Sequence, residues 1–176
     1  SAKPGRVMNR DTLAYYQRAF ASIHVARTMA RGTSPHKICM LLAVIDLYDY
    51  DPYRPNRIFY DQKLLERFRS YFETVKKPTD HANPYFPFFH LRGDKFWHLQ
   101  PKPGREQVLS TLTTARSNRD INENIEYATV DADLHFLFGD STARTTLAEG
   151  LVNHWFDRQR SELTEMIRFS RTINSY

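Results

Sequence analysis

The sequence predicts a mainly α domain of the α+β kind: helices around a small β-hairpin wing, with a winged-helix-like core. Three observations carry this. Apolar residues recur at helical spacing in several stretches, most of them opened by a capping residue. Residues 38–48 are apolar nearly all round, as a central buried helix requires. Residues 82–100 hold two prolines, five Phe or Trp residues, a tyrosine and two histidines, and their second half reads as a hairpin.

A chain of 176 residues suits one domain, expected over residues 11–176, after a polar arm or tag remnant at residues 1–10. A 41% hydrophobic and 14% aromatic composition argues against disorder. Lys and Arg number 25 against 20 Asp and Glu, so the net charge of +5 fits a nucleic acid or another anionic partner without establishing one. The single cysteine, Cys39, sits in the apolar run Ile38-Cys39-Met40-Leu41-Leu42 and reads as a core thiol. One cysteine excludes an intramolecular disulfide and a Cys-rich zinc site, and suits a reducing cytoplasm. No stretch approaches the ~20 apolar residues of a membrane span, and no signal-peptide hydrophobic region opens the chain, so no membrane partner is expected.

In chain order, Asp11 caps a helix in which Leu13, Tyr16, Phe20, Ile23 and Arg27 share a face until Gly32 stops it. Ser34 caps the next helix, with Pro35 in its first position. His36 and Lys37 then occupy the first turn of the buried helix. Free N–H groups there already favour an anion, and Lys37 opposes the helix dipole, so the local pattern leaves open a bound phosphate or a solvated lysine. Residues 49–56 are a loop and residues 57–60 a short strand. Asp61 caps a helix with Leu64, Leu65, Phe68, Tyr71, Phe72 and Val75 on one face, ended by Lys76-Lys77-Pro78.

Asn83-Pro84-Tyr85-Phe86-Pro87 is expected to be extended, since each proline pushes the residue before it out of the helical region. Phe88-Phe89-His90-Leu91 and Phe96-Trp97-His98-Leu99 read as strands joined by the basic tip Arg92-Gly93-Asp94-Lys95. A short helix over residues 106–115, a loop over 117–124 and an extended piece over 125–130 follow. Asp131 caps a small helix stopped by Gly139, and Ser141 caps a longer one over residues 142–156. Arg144 repeats the oddity of a cation in a first turn. A last helix spans residues 161–173, and the chain ends without a stop signal, as if cut from something longer.

Catalysis is not written in the chain. Seven histidines form no His-Glu-x-x-His motif, no metal-ligand spacing and no nuclease finger. Six glycines make no phosphate loop and no nucleophile elbow, and the serines at 34 and 141 read as caps. The chain is expected to be no enzyme and to need no cofactor.

Specific residues do match a family. Ser34-Pro35-His36-Lys37 opens an apolar helix, and Tyr85-Phe86-Pro87-Phe88-Phe89-His90-Leu91 is followed by Phe96-Trp97-His98-Leu99. Ser141-Thr142-Ala143-Arg144 then opens a helix ending in His154-Trp155-Phe156. Across residues 35–156 this resembles the sulfur-binding domain of McrA-like, type IV modification-dependent restriction endonucleases. The resemblance implies binding of double-stranded DNA carrying a backbone phosphorothioate, as the recognition module of a protein whose separate C-terminal HNH nuclease domain cuts. It implies an apolar sulfur cup of Tyr85, Phe86, Pro87 and Ala143. DNA contacts would come from Ser34, His36, Lys37 and Arg144, with the wing tip adding Arg92 and Lys95. Phe86 stands where the family commonly has a tyrosine, and Lys37 where it has an arginine, which keeps the charge but loses the planar fork. Two other classes remain on the residues alone: an ordinary winged-helix regulator reading bases, and a protein-interaction module using the aromatic ledge.

Overall fold

The computed structural model describes residues 10–28 and 32–174. The arm expected over residues 1–10 lies outside them except for Arg10, as does the chain end at residues 175–176. The helices are α1 (Arg10–Ala21), α2 (His36–Tyr50), α3 (Gln62–Val75), α4 (Tyr85–His90), α5 (Glu106–Thr111), α6 (Asn118–Asn124), α7 (Ala132–Phe138), α8 (Ser141–Trp155) and α9 (Arg160–Asn174). Short 3-10 turns follow α4, at Leu91–Asp94, and α8, at Asp157–Gln159. Strands β1 (Arg27–Thr28) and β2 (Gly32–Thr33) pair antiparallel, as do β3 (Trp97–Pro101) and β4 (Ile125–Val130). The expected class, mainly α with a small antiparallel β element, is the observed one.

Helix α2 is the axis of the molecule. Every residue from Ile38 to Tyr48 is buried, and α3, α4, α8 and α9 all pack on it. A helix with no polar stripe has nowhere stable to sit but inside. Near its end Asp46 is buried, with Oδ2 accepting from Arg67 Nε at 2.8 Å and Oδ1 from the Tyr71 hydroxyl at 2.7 Å. Both donors lie on α3, so one polar knot fixes α3 against α2. The α3 expectation holds closely: the Asp61 carboxylate accepts from Leu64 N at 3.0 Å, and Leu64, Phe68, Tyr71, Phe72 and Val75 face inward.

Several expectations are corrected. The first helix ends at Ala21, not at Gly32, because Ile23 turns into the core and His24 N donates to Asp94 Oδ1 at 2.8 Å. Ser34 does not cap α2; Pro35 is already helical in φ and ψ and takes that position. Residues 57–60 form only a single bridge, Ile58 to Ala128. The expected loop at 117–124 is mostly α6, capped by the Ser117 hydroxyl accepting from Asp120 N. In α8 the cap is Asp140, one residue before the expected Ser141, its carboxylate accepting from Ala143 N at 2.8 Å. In α9 Leu163 and Ile167 face inward as expected, but Phe169 is exposed.

The largest correction concerns the expected hairpin. Only its second strand exists, as β3, and its partner is β4 across residues 102–124. Tyr85–His90 is a helix. Pro84 sits at its N-cap with φ −61° and ψ −25°, and Pro87 is in the first turn, where a missing N–H breaks no helical bond. Phe88 N donates to the Pro84 carbonyl at 3.2 Å and closes that turn. Trp97 Nε1 donates to the Phe88 carbonyl at 2.9 Å, tying α4 to β3.

Candidate nucleic-acid interface

Helical geometry sorts the aromatic segment into two faces. Phe88, Phe89 and Leu91 enter the core, while Phe86 and His90, four residues apart, share the outer stripe with ring centroids 4.3 Å apart. Pro87 is buried behind them and Tyr85 is half-buried against the core. Phe86 is 41% exposed, a large apolar ring facing water with no local packing reason to do so.

The first turn of α2 arrives beside this ring. The His36 ring centroid is 6.4 Å from that of Phe86 and 4.9 Å from that of Phe72. His36 Nε2 lies 2.6 Å from the His81 carbonyl and Nδ1 lies 2.7 Å from the Ser34 hydroxyl. A carbonyl only accepts, so Nε2 carries the proton and Nδ1 accepts from Ser34. Burial holds the imidazole below its usual pKa, keeping it neutral, although the His81 carbonyl and Asp80 pull the other way. His90 is also held low, by burial first and then by Lys37 and Arg92, and its Nε2 lies 2.8 Å from the Thr114 hydroxyl.

Lys37 Nζ donates to Asp94 Oδ2 at 2.7 Å. Arg92 stacks its guanidinium 4.0 Å above the Phe89 ring and donates from Nη2 to the Leu112 carbonyl at 2.7 Å. Lys95 is exposed, at a left-handed φ of 72° that ends the 3-10 turn. The structure therefore brings together Ser34, His36, Lys37, Phe86, Pro87 and Arg92.

It does not bring Ala143 and Arg144 to them. Ala143 is buried, and Arg144 is only 5% exposed, with Nε 2.7 Å from Asp49 Oδ1 and Nη1 2.8 Å from the Phe138 carbonyl. Asp49 lies in the last turn of α2 and His36 in its first, about 20 Å apart along the axis. The cation in the first turn of α8 is thus an internal tie between α8 and α2.

Sequence reasoning missed His90, Thr114, Asp94 and His24. His90 was within reach, because reading residues 85–90 as helix puts it on the Phe86 stripe. The others carry no local signal: Asp94 meets Lys37 and His24 across 57 and 70 positions of chain. Among the described residues no group of three or more His, Cys, Asp or Glu side chains is placed to hold a metal ion, and no helix is long and apolar enough to cross a membrane.

Comparison with known proteins adds an independent line. The family described as ScoMcrA-like, DNA sulfur-binding domain matches residues 57–171, which takes in α4 and leaves the first turn of α2 outside. Among solved structures, the sulfur-binding and SRA domains of ScoMcrA complexed with phosphorothioated DNA align with TM-score 0.61 at 19% identity. That alignment covers 80% of this chain and 42% of the ScoMcrA one, so the present chain spans less than half of that solved chain. The sulfur-binding domain of ScoMcrA alone, also complexed with phosphorothioated DNA, gives 0.59 at 19% identity over 84% and 97% of the two chains. The sulfur-binding domain of SprMcrA in such a complex gives 0.55 at 14% identity over 82% and 85%. At these identities the likeness is one of fold. No curated protein matches the chain.

Proposed function

Since the chain belongs to the family of ScoMcrA-like DNA sulfur-binding domains, we propose that it recognises double-stranded DNA whose backbone carries a phosphorothioate, and that it does so without catalysis. The observation that carries this reading is the meeting of the first turn of α2 with the outer stripe of α4. An exposed Phe86 ring stands there against His36 and His90, with Lys37 and Arg92 close enough to act on His90. Sulfur is larger, softer and less hydrated than oxygen. A rigid apolar edge therefore takes up a phosphorothioate at less desolvation cost than a phosphate, while cations hold the charged backbone whatever its modification.

In this reading Phe86 is the surface that meets sulfur. Pro87 and Tyr85 fix its backbone, His36 offers its edge, and Arg92 and Lys95 reach the phosphates. Ala143 and Arg144 support the fold from the far end of α2 and do not line the cup. A base-reading helix of the ordinary winged-helix kind is not offered by α2, which is buried over residues 38–48. We place the domain in the cytoplasm as the recognition part of a modification-dependent restriction endonuclease, with cutting assigned to a separate HNH nuclease domain.

The test uses matched duplexes that differ in one backbone sulfur, in each stereochemical configuration, titrated at several salt concentrations. Tighter binding of one modified duplex is expected. Equal affinity for all of them sinks the proposal, and cleavage of modified DNA in divalent metal by this chain overturns the non-catalytic part.

A further inference from the structure

A carboxylate is built in beside Lys37. The Asp94 side chain is 3% exposed and the Lys37 side chain 12%, with Nζ and Oδ2 2.7 Å apart. The other oxygen, Oδ1, accepts from His24 N at 2.8 Å and lies 3.0 Å from the His24 Nδ1. Both oxygens are thus engaged, by segments that precede α2 and open it, so the carboxylate is held in place from two sides.

We propose that Asp94 is a specificity-determining, positioning residue: it holds the Lys37 ammonium at the edge of the Phe86 face and cancels its charge, so that an ordinary phosphate gains little there and contact with sulfur decides. This rests on the phosphorothioate reading above. A free lysine attracts every backbone phosphate equally and releases a counterion on binding, which raises affinity without discrimination. A lysine already paired keeps two N–H donors for a backbone oxygen but contributes no net charge. The other basic groups against the ring follow the same pattern. His36 is neutral and bonded at both nitrogens, and His90 faces Thr114. Arg92, which has no carboxylate partner among the described residues, is drawn aside over Phe89 and the Leu112 carbonyl. Seen from the exposed ring, the surface is more apolar and closer to neutral than its sequence of His36, Lys37, His90 and Arg92 implies.

The experiment measures affinity for a single-phosphorothioate duplex and its unmodified twin across salt, after a thermal melt has shown each variant folded. Asp94→Asn is expected to raise affinity for the unmodified duplex roughly fivefold at low salt and to steepen its salt slope by about 0.9. The modified duplex gains less, so the preference narrows. Asp94→Glu, which keeps the charge, is expected to keep the preference. A native preference and a native slope in Asp94→Asn overturn the proposal. Should that variant fail to fold, Lys37→Met combined with Asp94→Asn removes the pair as a unit. Affinity falls with the lost donors, yet the salt slope is expected within about 0.5 of the native one, and loss of about 0.9 overturns charge cancellation. If the native protein does not distinguish the duplexes, the phosphorothioate reading fails, while the slope change of Asp94→Asn on unmodified DNA still decides whether Asp94 cancels Lys37.

Discussion

The two ends of α2 carry the same bond in different surroundings. At the far end Asp49 takes Arg144 Nε at 2.7 Å, and both side chains are almost sealed from water, at 3% and 6% exposure. At the near end Asp94 takes Lys37 Nζ at the same 2.7 Å, but the pair lies against a ring open to solvent. In sequence Lys37 and Arg144 look alike, each a cation in the first turn of a helix. The structure separates them: one locks two helices together, and the other borders a surface. A cation where the dipole disfavours it therefore marks a partner outside its own helix, and here each such cation meets a buried carboxylate.

The largest expected effect lies at Arg144. Its replacement by methionine takes the guanidinium away from the buried Asp49 carboxylate and is expected to cost about 3–5 kcal/mol in denaturant unfolding. The folded fraction, assayed in the cold, is expected to keep its preference for modified DNA. Binding lost ahead of stability would return Arg144 to the interface. At the other end, Phe86→Ser is expected to reduce the modified-over-unmodified preference about tenfold while changing stability by less than about 1 kcal/mol, because the ring is already 41% exposed. Arg92→Ala is expected to flatten the salt slope by about 0.9 for both duplexes and leave their ratio intact.

The smallest effect is one of pH. Burial holds His36 and His90 below the usual imidazole value of 6.5, so the unfolded chain takes up these protons first as pH falls. Their contribution to stability is complete above pH 6.5 and is lost as pH falls through the lowered folded values. Melting midpoints at pH 7.5, 6.5 and 5.5 are expected to decline over the last step, and His36→Gln with His90→Gln to flatten that decline. An unchanged native midpoint would count against neutral histidines at the rim.

What was legible in the sequence was whatever a few neighbouring residues decide. Asp61 and the stripe from Leu64 to Val75 contain the whole instruction for α3, and the apolar run from Ile38 to Tyr48 allows α2 no place but the centre. The same locality misled at Pro84 and Pro87. Proline forbids the interior of a helix but suits its opening turn, and only the Phe88-to-Pro84 bond and the Trp97 indole on the Phe88 carbonyl say which applies. In the site, the Phe86-Pro87 step and the His36-Lys37 step were legible as separate motifs. Their meeting, and Asp94 between Lys37 and His24, depend on contacts made only when the chain closes on itself.

The proline-opened α4 has a further consequence, for time rather than affinity. Two fixed φ angles, a closed first turn and a core-facing side leave the Phe86 ring little to rearrange when DNA arrives. Encounter with modified and unmodified duplexes should then proceed at one common rate, set by charge, and the two should differ in how long they stay. Under the proposed function, the domain is expected to visit modified and unmodified sites equally often and to stay longer where a sulfur is present.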